Sequence, residues 1–511
     1  MFKLYICEFI IVAVTYYFAI IRSNYPLHML QLEGYNNEDY KKWMSENKDK
    51  INRFVYKKSA EEKTPLVWTD RAKRLFKIHD HVNFAFLVAF LVIDNIVFAN
   101  TKSYLWSMIV LAVLCLILYY FESRVMLISN RISVPREEKI NMGFFVQAQD
   151  KIKELKEKDG LKVLGITGSF GKTSTKFIAD TILSESLNVK NTPSSYNTPM
   201  GLSKVINNEL NESHEVFIAE LGAKQKGEID EVAQLVQPDI GIITAIGPTH
   251  MHMFKTIENI MNTKYELIED LPENGVAIFN YDNEYVRVLA DKTEKKTLRY
   301  GMKDIDKLDV YAKDIEVSEK GSEFVLAVKG KGEVKCTTKL LGKHNISNLL
   351  AAATAGYVLG MELSDISKGI AKVEPVEHRL NIVDSGTGVV VIDDAFNSNP
   401  VGFRAALSVI DEFKNGRKII ITPGMVELGD MEEEENYKIG KEIAKVCDYV
   451  ILVGKKRTEP IRRGLSDAGF SDDDTFVVNT LNKATEVLGT LTKPGDVVLF
   501  ENDLPDTYSE E

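Results

Sequence analysis

Residues 163–175 read VLGITGSFGKTST. Val163, Leu164 and Ile166 form an apolar run that leads into Gly168, Ser169, Phe170, Gly171, Lys172, Thr173 and Ser174, and a helical pattern follows. A buried strand turning through glycines into a helix start leaves backbone N–H groups free and aims the positive end of the helix dipole at one point. That corner suits phosphate, with Lys172 on the β/γ-phosphates and the Thr173 hydroxyl on Mg²⁺. The general pattern places a glycine five residues before Gly171. Here Ile166 stands there and Gly165 is one place early, so the loop is a variant.

Other residues of the right type follow strand-like runs. Glu220 ends FIAELGAK, where a carboxylate across a sheet from Thr173 would bind Mg²⁺ directly or through water. GPTHMHMF sets His250 just after the run 240–245, at the end of a parallel strand where α/β sheets place ligands. His250 is a candidate for a second divalent cation, and His252 is read as a surface residue. Lys264 lies in a helical pattern, so a surface lysine is the ordinary reading. Buried beside phosphates, it would lose its charge and could carry CO₂ as a metal-ligating carbamate. LGKHNISN offers His344 and Asn345 at a helix start, where Asn345 serves as a helix cap or contacts a nucleotide base. Arg379 stands in EHRL. IDDAFNSNP packs Asp393, Asp394, Asn397 and Asn399 after a buried run and before Pro400, the composition of a ligand-facing loop.

The elements needed to hold these residues are legible in the periodicity. From residue 161, apolar runs at 163–166, 216–220, 240–245 and 276–280 alternate with helical patterns, which predicts a parallel sheet covered by helices. Residues 298–340 change to short alternating strands, an antiparallel insertion. A second α/β series has strands at 389–392, 418–422, 449–453 and 497–500. The acidic run 432–435 reads as a solvated helix start. The fold class is therefore α/β: a P-loop parallel-sheet ATPase domain at 161–376 and a Rossmann-like α/β domain at 377–511.

The first 160 residues are different. Residues 2–21, 82–99 and 104–121 are apolar runs long enough for membrane helices, the last two joined as a hairpin by Asn100, Thr101, Lys102 and Ser103. A cleaved signal peptide is the rival for the first run, but Glu8 interrupts it and no small-residue cleavage pattern precedes Arg22. Asp94 sits inside the second run, read as a functional acid or, more simply, as an acid near the membrane face or packed in the hairpin. Lysine and arginine crowd the stretch from Lys41 to Lys77, and Arg124, Arg131 and Arg136 follow the third run. The positive-inside rule then predicts a multi-pass membrane region at 1–128, with loop 22–81 and the catalytic domains in the cytoplasm. Residues 36–54 read as an amphipathic helix (Tyr40, Trp43, Met44, Ile51, Phe54) or as a solvated connector, and 129–160 as a linker helix, with Pro135 marking a boundary. Across 511 residues the net charge of −11 gives no reason to expect nucleic acid. The four cysteines lack metal spacing, which suits a reduced cytosolic catalytic part.

In order, TGSFGKTS, AELGA, GPTHMHMF, TKYE at 263–266, FNYDN, GKHN, EHR and DDAFNSNP resemble the motifs of the Mur ligase family of ATP-dependent amide-bond ligases, over roughly residues 161–500. DDAFNSNP and PGMVELGD are similar to the MurF type. The resemblance implies that a carboxylate attacks the γ-phosphate of ATP and that an amine then displaces phosphate from the acyl phosphate. It implies a peptidoglycan or other cell-envelope precursor as the acid, in the MurF manner, and an amino acid or dipeptide as the amine. By motif, Gly168, Ser169, Gly171, Lys172 and Ser174 would hold phosphates, and Thr173 with Glu220 a first Mg²⁺. His250 with a carbamylated Lys264 would hold a second. Asn280, His344 and Asn345 would contact the nucleotide, and Arg379, Asp394 and Asn397 would reach it from the C-terminal domain on closure. Lys172, Lys264, Arg379 and His250 are the expected catalytic groups. Two departures stand out. Membrane runs occupy the place of the UDP-sugar domain of MurF-type enzymes, which brings in a lipid-linked or other envelope substrate. FENDLPDTY replaces a KGSR-like ending. A folylpolyglutamate-type ligase and a non-catalytic nucleotide-binding membrane scaffold are the alternative readings, with a transport ATPase behind them.

Overall fold

A computed structural model of the chain describes residues 2–51, 65–384, 386–396 and 398–504. It folds as two compact units, one built on residues 1–142 and the other on residues 143–504.

The first unit is helical. Helix α1 is Phe2–Leu32, α2 Asn37–Glu46, α3 Lys48–Ile51, α4 Asp70–Thr101 and α5 Tyr104–Tyr120, and α6 (Glu122–Asp159) begins here. Among the described residues, two helices can by length and composition cross a membrane, Tyr5–Leu32 and Asp70–Thr101. A third span is possible if α5 and α6, bent by 69° at their junction, count as one. Several helices outrun their apolar cores. Helix α1 passes through Pro26 and continues to Leu32, well beyond residue 21. Helix α4 starts at Asp70 because Thr69 caps it, its hydroxyl accepting from the Ala72 N–H at 3.2 Å. Pro135 does not mark a boundary, since α6 runs through it. The loop expected at 22–81 is thus largely helical among its described residues. The 36–54 stretch appears as α2 and α3. Tyr40 and Trp43 are buried with Leu27, Leu30 and Met126, so α2 packs rather than serving as a solvated connector; Phe54 lies outside the described residues. Apolar side chains such as Phe9, Phe84, Leu105 and Trp106 point outward, which suits a lipid surround. Polar groups pair inside: Ser107 donates to Asp94 at 2.6 Å across the hairpin, and Asn83 donates to Glu122 at 2.9 Å.

The second unit begins with the last turns of α6, whose Ala148, Ile152 and Leu155 are buried in its core. The first sheet is built from β1 (Lys162–Thr167), β2 (Val189–Asn191), β3 (Val216–Glu220), β4 (Ile240–Ile243), β5 (Val276–Asn280), β6 (Lys296–Gly301), β7 (Val310–Ser318), β8 (Gly321–Val328) and β9 (Gly332–Thr338). Helices α7 (Lys172–Leu183), α8 (Pro199–Asn208), α9 (Glu228–Val236), α10 (Met251–Phe254), α11 (Ile257–Glu269), α12 (Glu284–Lys292), α13 (Lys343–Val358) and α14 (Leu363–Lys372) accompany it. Strand order is β2-β3-β1-β4-β5-β6-β7-β8-β9. The pairs up to β6–β7 are parallel, whereas β7–β8 and β8–β9 are antiparallel and extend the same sheet. Strand β1 lies between β3 and β4 with Val163, Leu164 and Ile166 fully buried. The loop after β1 therefore emerges at a crevice where neighbouring strands lead away on both sides, the usual ligand position in such sheets.

The second sheet holds β10 (Asn381–Asp384), β11 (Val390–Asp394), β12 (Lys418–Thr422), β13 (Tyr449–Val453), β14 (Thr475–Val478) and β15 (Val497–Glu501), in the order β10-β11-β15-β12-β13-β14. Helices α15 (Pro400–Glu412), α16 (Glu432–Val446), α17 (Glu459–Asp467) and α18 (Leu481–Leu491) connect it. Only β10–β11 is antiparallel. Strands β10 and β14 were not foreseen. Both are short, and Ile382, Val383 and Val477 in them are exposed, so they carry little apolar signal.

Candidate active site

Gly171 caps α7 in the left-handed conformation (φ 81°), and a Cβ there would meet Asn348 Oδ1 at 2.8 Å. At Gly168 a Cβ would come within 2.1 Å of Thr244 Oγ1. Both positions require glycine, one by conformation and one by crowding. The loop is pinned by its neighbours. Thr244 donates to the Phe170 carbonyl at 2.6 Å, Ser169 N–H to Ala245 O at 2.7 Å, and Ser169 Oγ to Gly247 O at 2.9 Å. The Phe170 ring lies so close to Gly247 that a Cβ there would touch it at 3.0 Å. Phe170 thus anchors the phosphate-type loop to the loop that carries His250.

Lys172 Nζ donates to the carbonyls of Gly168 (2.8 Å) and Ser169 (3.3 Å), folded over its own loop. Burial pulls its ammonium below the ordinary lysine range, Glu220 opposing and Arg379 adding to the fall. Thr173 Oγ1 donates to Glu220, with 3.1 and 3.0 Å to the two carboxylate oxygens. Asn197 Nδ2 donates to Oε1 at 3.0 Å, and Lys176 Nζ lies 3.2 Å from Oε2. Glu220 and Lys176 are both fully buried, so the cation answers the acid.

A cavity of about 180 Å³ is lined by Ser169, Gly171, Lys172, Thr173, Ser174, Asn197, Glu220, His250 and Arg379, among others. From the second sheet come Phe396, Ser398, Asn399, Val426, Glu427 and Leu428. Arg379 stacks on Phe396 with its guanidinium carbon 4.1 Å from the ring centre. Burial lowers its pKa, with Asp394 first among the acids that resist this. Asp394 itself does not line the cavity. It is half-buried beside the buried Glu501, which accepts from Ser398 Oγ at 2.5 Å, and desolvation raises the pKa of both acids.

Several expected residues stand differently. His250 opens α10 in the left-handed conformation (φ 48°), with Nδ1 2.6 Å from Glu427 Oε2. Lys264 is buried on α11, its Nζ 3.4 Å from the Ala223 carbonyl. Burial, with the charge of Lys172 adding, lowers its pKa to about 7. It is not the surface lysine of the ordinary reading. Asn280 donates to Ser347 Oγ at 3.2 Å and accepts from the Asp282 N–H at 3.2 Å. Asn345 does not cap α13. Gly342 holds the cap position, and Asn345 lies a turn inside, donating to Leu341 O at 2.9 Å. Burial lowers the His344 pKa to about 4, leaving a neutral ring. Gly168, Lys264, Asn280, His344, Asn345 and Asp394 are not among the residues lining the cavity. Asn397 lies outside the described residues.

Sequence reasoning missed Lys176, Asn197, Thr244, Ser398, Glu427 and Glu501. Lys176 carried a signal, because it falls one helical turn after Lys172 on a face that must be buried. The others act through contacts between distant loops.

The donor set fits the groups such a site would take. A hydroxyl and a carboxylate oxygen meet at Thr173 and Glu220, the hard ligands Mg²⁺ prefers. The helix start, Lys172 and Arg379 supply positive charge for phosphates. Two family models match consecutive parts of the chain: the Mur ligase middle domain over residues 166–356 and the Mur ligase glutamate ligase domain over residues 378–501. Together they span more than half of it, and residues 1–165 fall outside both. The UDP-N-acetylmuramoyl-tripeptide–D-alanyl-D-alanine ligase of Bacillus subtilis is 33% identical over 298 residues, which are 58% of this chain and 63% of that protein. The chain thus matches less than two thirds of that relative's length. MurF from Acinetobacter baumannii superimposes with a TM-score of 0.65 at 26% identity, covering 72% of this chain and 79% of its own. MurF ligase from Thermotoga maritima in complex with ADP gives 0.63 at 25% identity, with 72% and 82% covered.

Proposed function

The chain belongs to the Mur ligase family, and from that premise we propose that it is an ATP-dependent, MurF-like amide-bond ligase. It would join an amino acid or dipeptide amine to the carboxylate of a peptidoglycan or other cell-envelope precursor. The observation that carries this reading is the gathering of Lys172, Thr173, Glu220, His250 and Arg379 on one cavity between two α/β sheets.

In this reading a carboxylate oxygen of the acid attacks the γ-phosphorus of ATP and ADP departs. The amine nitrogen then attacks the acyl carbon, phosphate leaves with the bonding electrons, and the nitrogen loses a proton. Catalysis of this kind is chiefly positioning and charge neutralisation. The N–H groups at the start of α7 hold the phosphates. Lys172 leaves its carbonyl partners on Gly168 and Ser169 for phosphate oxygens. Arg379, stacked on Phe396, brings charge from the second sheet. Thr173 and Glu220 would hold one Mg²⁺, and His250, with Lys264 as a carbamate, a second. Such ions neutralise the charge that builds on the phosphates. Asn280, His344, Asn345, Asp394 and Asn397 keep their proposed nucleotide contacts, which require the two sheets to close further around the ligand.

The apolar helices α1 and α4, with the bent α5–α6 pair, support a multi-pass membrane location. The basic residues that follow the spans support a cytoplasmic side for the ligase unit, where ATP is. A membrane-borne acid substrate, such as a lipid-linked precursor, fits that arrangement. ADP release by the full chain in detergent, with UDP-linked and lipid-linked acids compared at fixed amine, tests the reading. A stimulated rate and a ligated product are expected with one of them. ATP hydrolysis indifferent to acid and amine would exclude it.

A further inference from the structure

Lys176 is a fully buried lysine that the proposed reaction does not use. It stands on α7 one helical turn after Lys172. Lys172 lines the cavity, and Lys176 does not. Its Nζ lies 3.2 Å from Glu220 Oε2 and donates to the Ser194 carbonyl. Ser194 holds left-handed backbone, φ 46°, a conformation that a non-glycine residue keeps where its surroundings impose it. Three residues on, Asn197 Nδ2 donates to the other carboxylate oxygen, Glu220 Oε1, at 3.0 Å. Glu220 and Asn197 both line the cavity. The acid therefore meets the ligand space, and its counter-charge is held in the protein behind it.

We propose that Lys176 is a positioning residue that acts through Glu220: it holds the carboxylate and offsets its charge, so that a divalent ion binds there tightly only together with nucleotide phosphates. The inference rests on the reading of Thr173 and Glu220 as ligands to the first Mg²⁺. The affinity of an oxygen site for a divalent ion follows the charge of its ligands. Glu220 and Lys176 together carry no net charge. Of the other charged groups lining the cavity, Lys172 and Arg379 outnumber Glu427. An ion arriving alone thus meets no excess of negative charge. A triphosphate brings that charge, engages Lys172 and Arg379, and adds its own oxygens to the ion. Mg²⁺ is commonly held in this way, by one or two carboxylates and substrate phosphates. Metal and nucleotide would then load as one unit. A pair that served folding alone would have no such effect on the ion.

Mn²⁺ binding to the full chain in detergent tests this, read by electron paramagnetic resonance with and without the β,γ-imido analogue of ATP. The site in question is the one that Thr173→Ala weakens in the presence of the analogue. The wild type should hold Mn²⁺ there at least about tenfold more weakly without the analogue than with it, a difference of 1.4 kcal/mol. Lys176→Gln keeps a donor and removes the charge, so its affinity without the analogue should rise about tenfold or more above wild type. Adding Glu220→Gln to that variant should abolish the gain. Nucleotide-free affinity in Lys176→Gln equal to or below wild type, or a gain that survives Glu220→Gln, would overturn the inference. So would a wild type that binds Mn²⁺ as tightly without the analogue as with it, a result that needs no variant. Mn²⁺ affinity with the analogue that Thr173→Ala leaves unchanged would instead overturn the reading of Thr173 and Glu220 as metal ligands, and this inference with it.

Discussion

The Thr173 hydroxyl lies 3.0 Å from one carboxylate oxygen of Glu220 and 3.1 Å from the other, although the residues are 47 positions apart. Parallel pairing of β1 with β3 brings the start of α7 to the end of β3. Thr173→Ala should lower Mg²⁺-dependent ADP release about 100-fold, near 2.7 kcal/mol of transition-state stabilisation. Thr173→Ser should retain most of the rate, because the hydroxyl is kept. Rates measured across a Mg²⁺ titration check both.

Glu220 also has a structural partner. Its carboxylate answers the buried Lys176 ammonium at 3.2 Å. Glu220→Gln should therefore cost about 3–5 kcal/mol of stability, because a buried cation loses its counter-charge. The double variant with Lys176→Met should recover a large part of it. Denaturant unfolding of the three variants against wild type measures this.

Gly168→Ala should cripple nucleotide binding more than folding. The added Cβ would lie 2.1 Å from Thr244 Oγ1, so the loop must move. An ATP-analogue affinity at least about tenfold weaker is expected, since 1.4 kcal/mol of loop displacement is already tenfold. Titration calorimetry gives the affinity, and the unfolding midpoint separates it from misfolding.

Lys264 ties pH to stability. Its pKa falls from 10.5 to about 7 in the folded chain, through burial first and the Lys172 charge second. Between those values the unfolded chain binds the extra proton, so this group makes stability rise with pH from about 7 to about 10.5 and contributes no slope below 7. Lys264→Met should remove that slope, as unfolding at pH 6, 8 and 9 will reveal. The same neutral amine above pH 7 is the form that takes up CO₂, and ¹³C-bicarbonate NMR should detect a carbamate that Lys264→Met lacks.

What could be read from residue order alone is uneven, for physical reasons. The loop from Gly168 to Ser174 and the acid at Glu220 were legible because strand, glycine turn and helix follow one another locally. The packing of Asp94 against Ser107 depends on a contact across the hairpin that residue order does not show. Helix α1 outruns its apolar core through Pro26, and α6 runs through Pro135, so proline alone did not mark where either helix ends. Asn345 has the composition of a cap, yet Gly342 starts the helix three residues earlier. Glu427 was invisible because its partner His250 is on another sheet. Phe170, odd for such a loop, is explained only by its contact with Gly247.

The central claim is ligation, and one measurement meets it directly. The full chain in detergent is incubated with ATP, Mg²⁺, an envelope precursor bearing a free carboxylate and a candidate amine, and the products are resolved by mass spectrometry. The account predicts a new amide product with ADP and phosphate released in step, only when acid and amine are both present, and none from Lys172→Ala. ADP formed at the same rate without acid or amine, and no amide product, would contradict it.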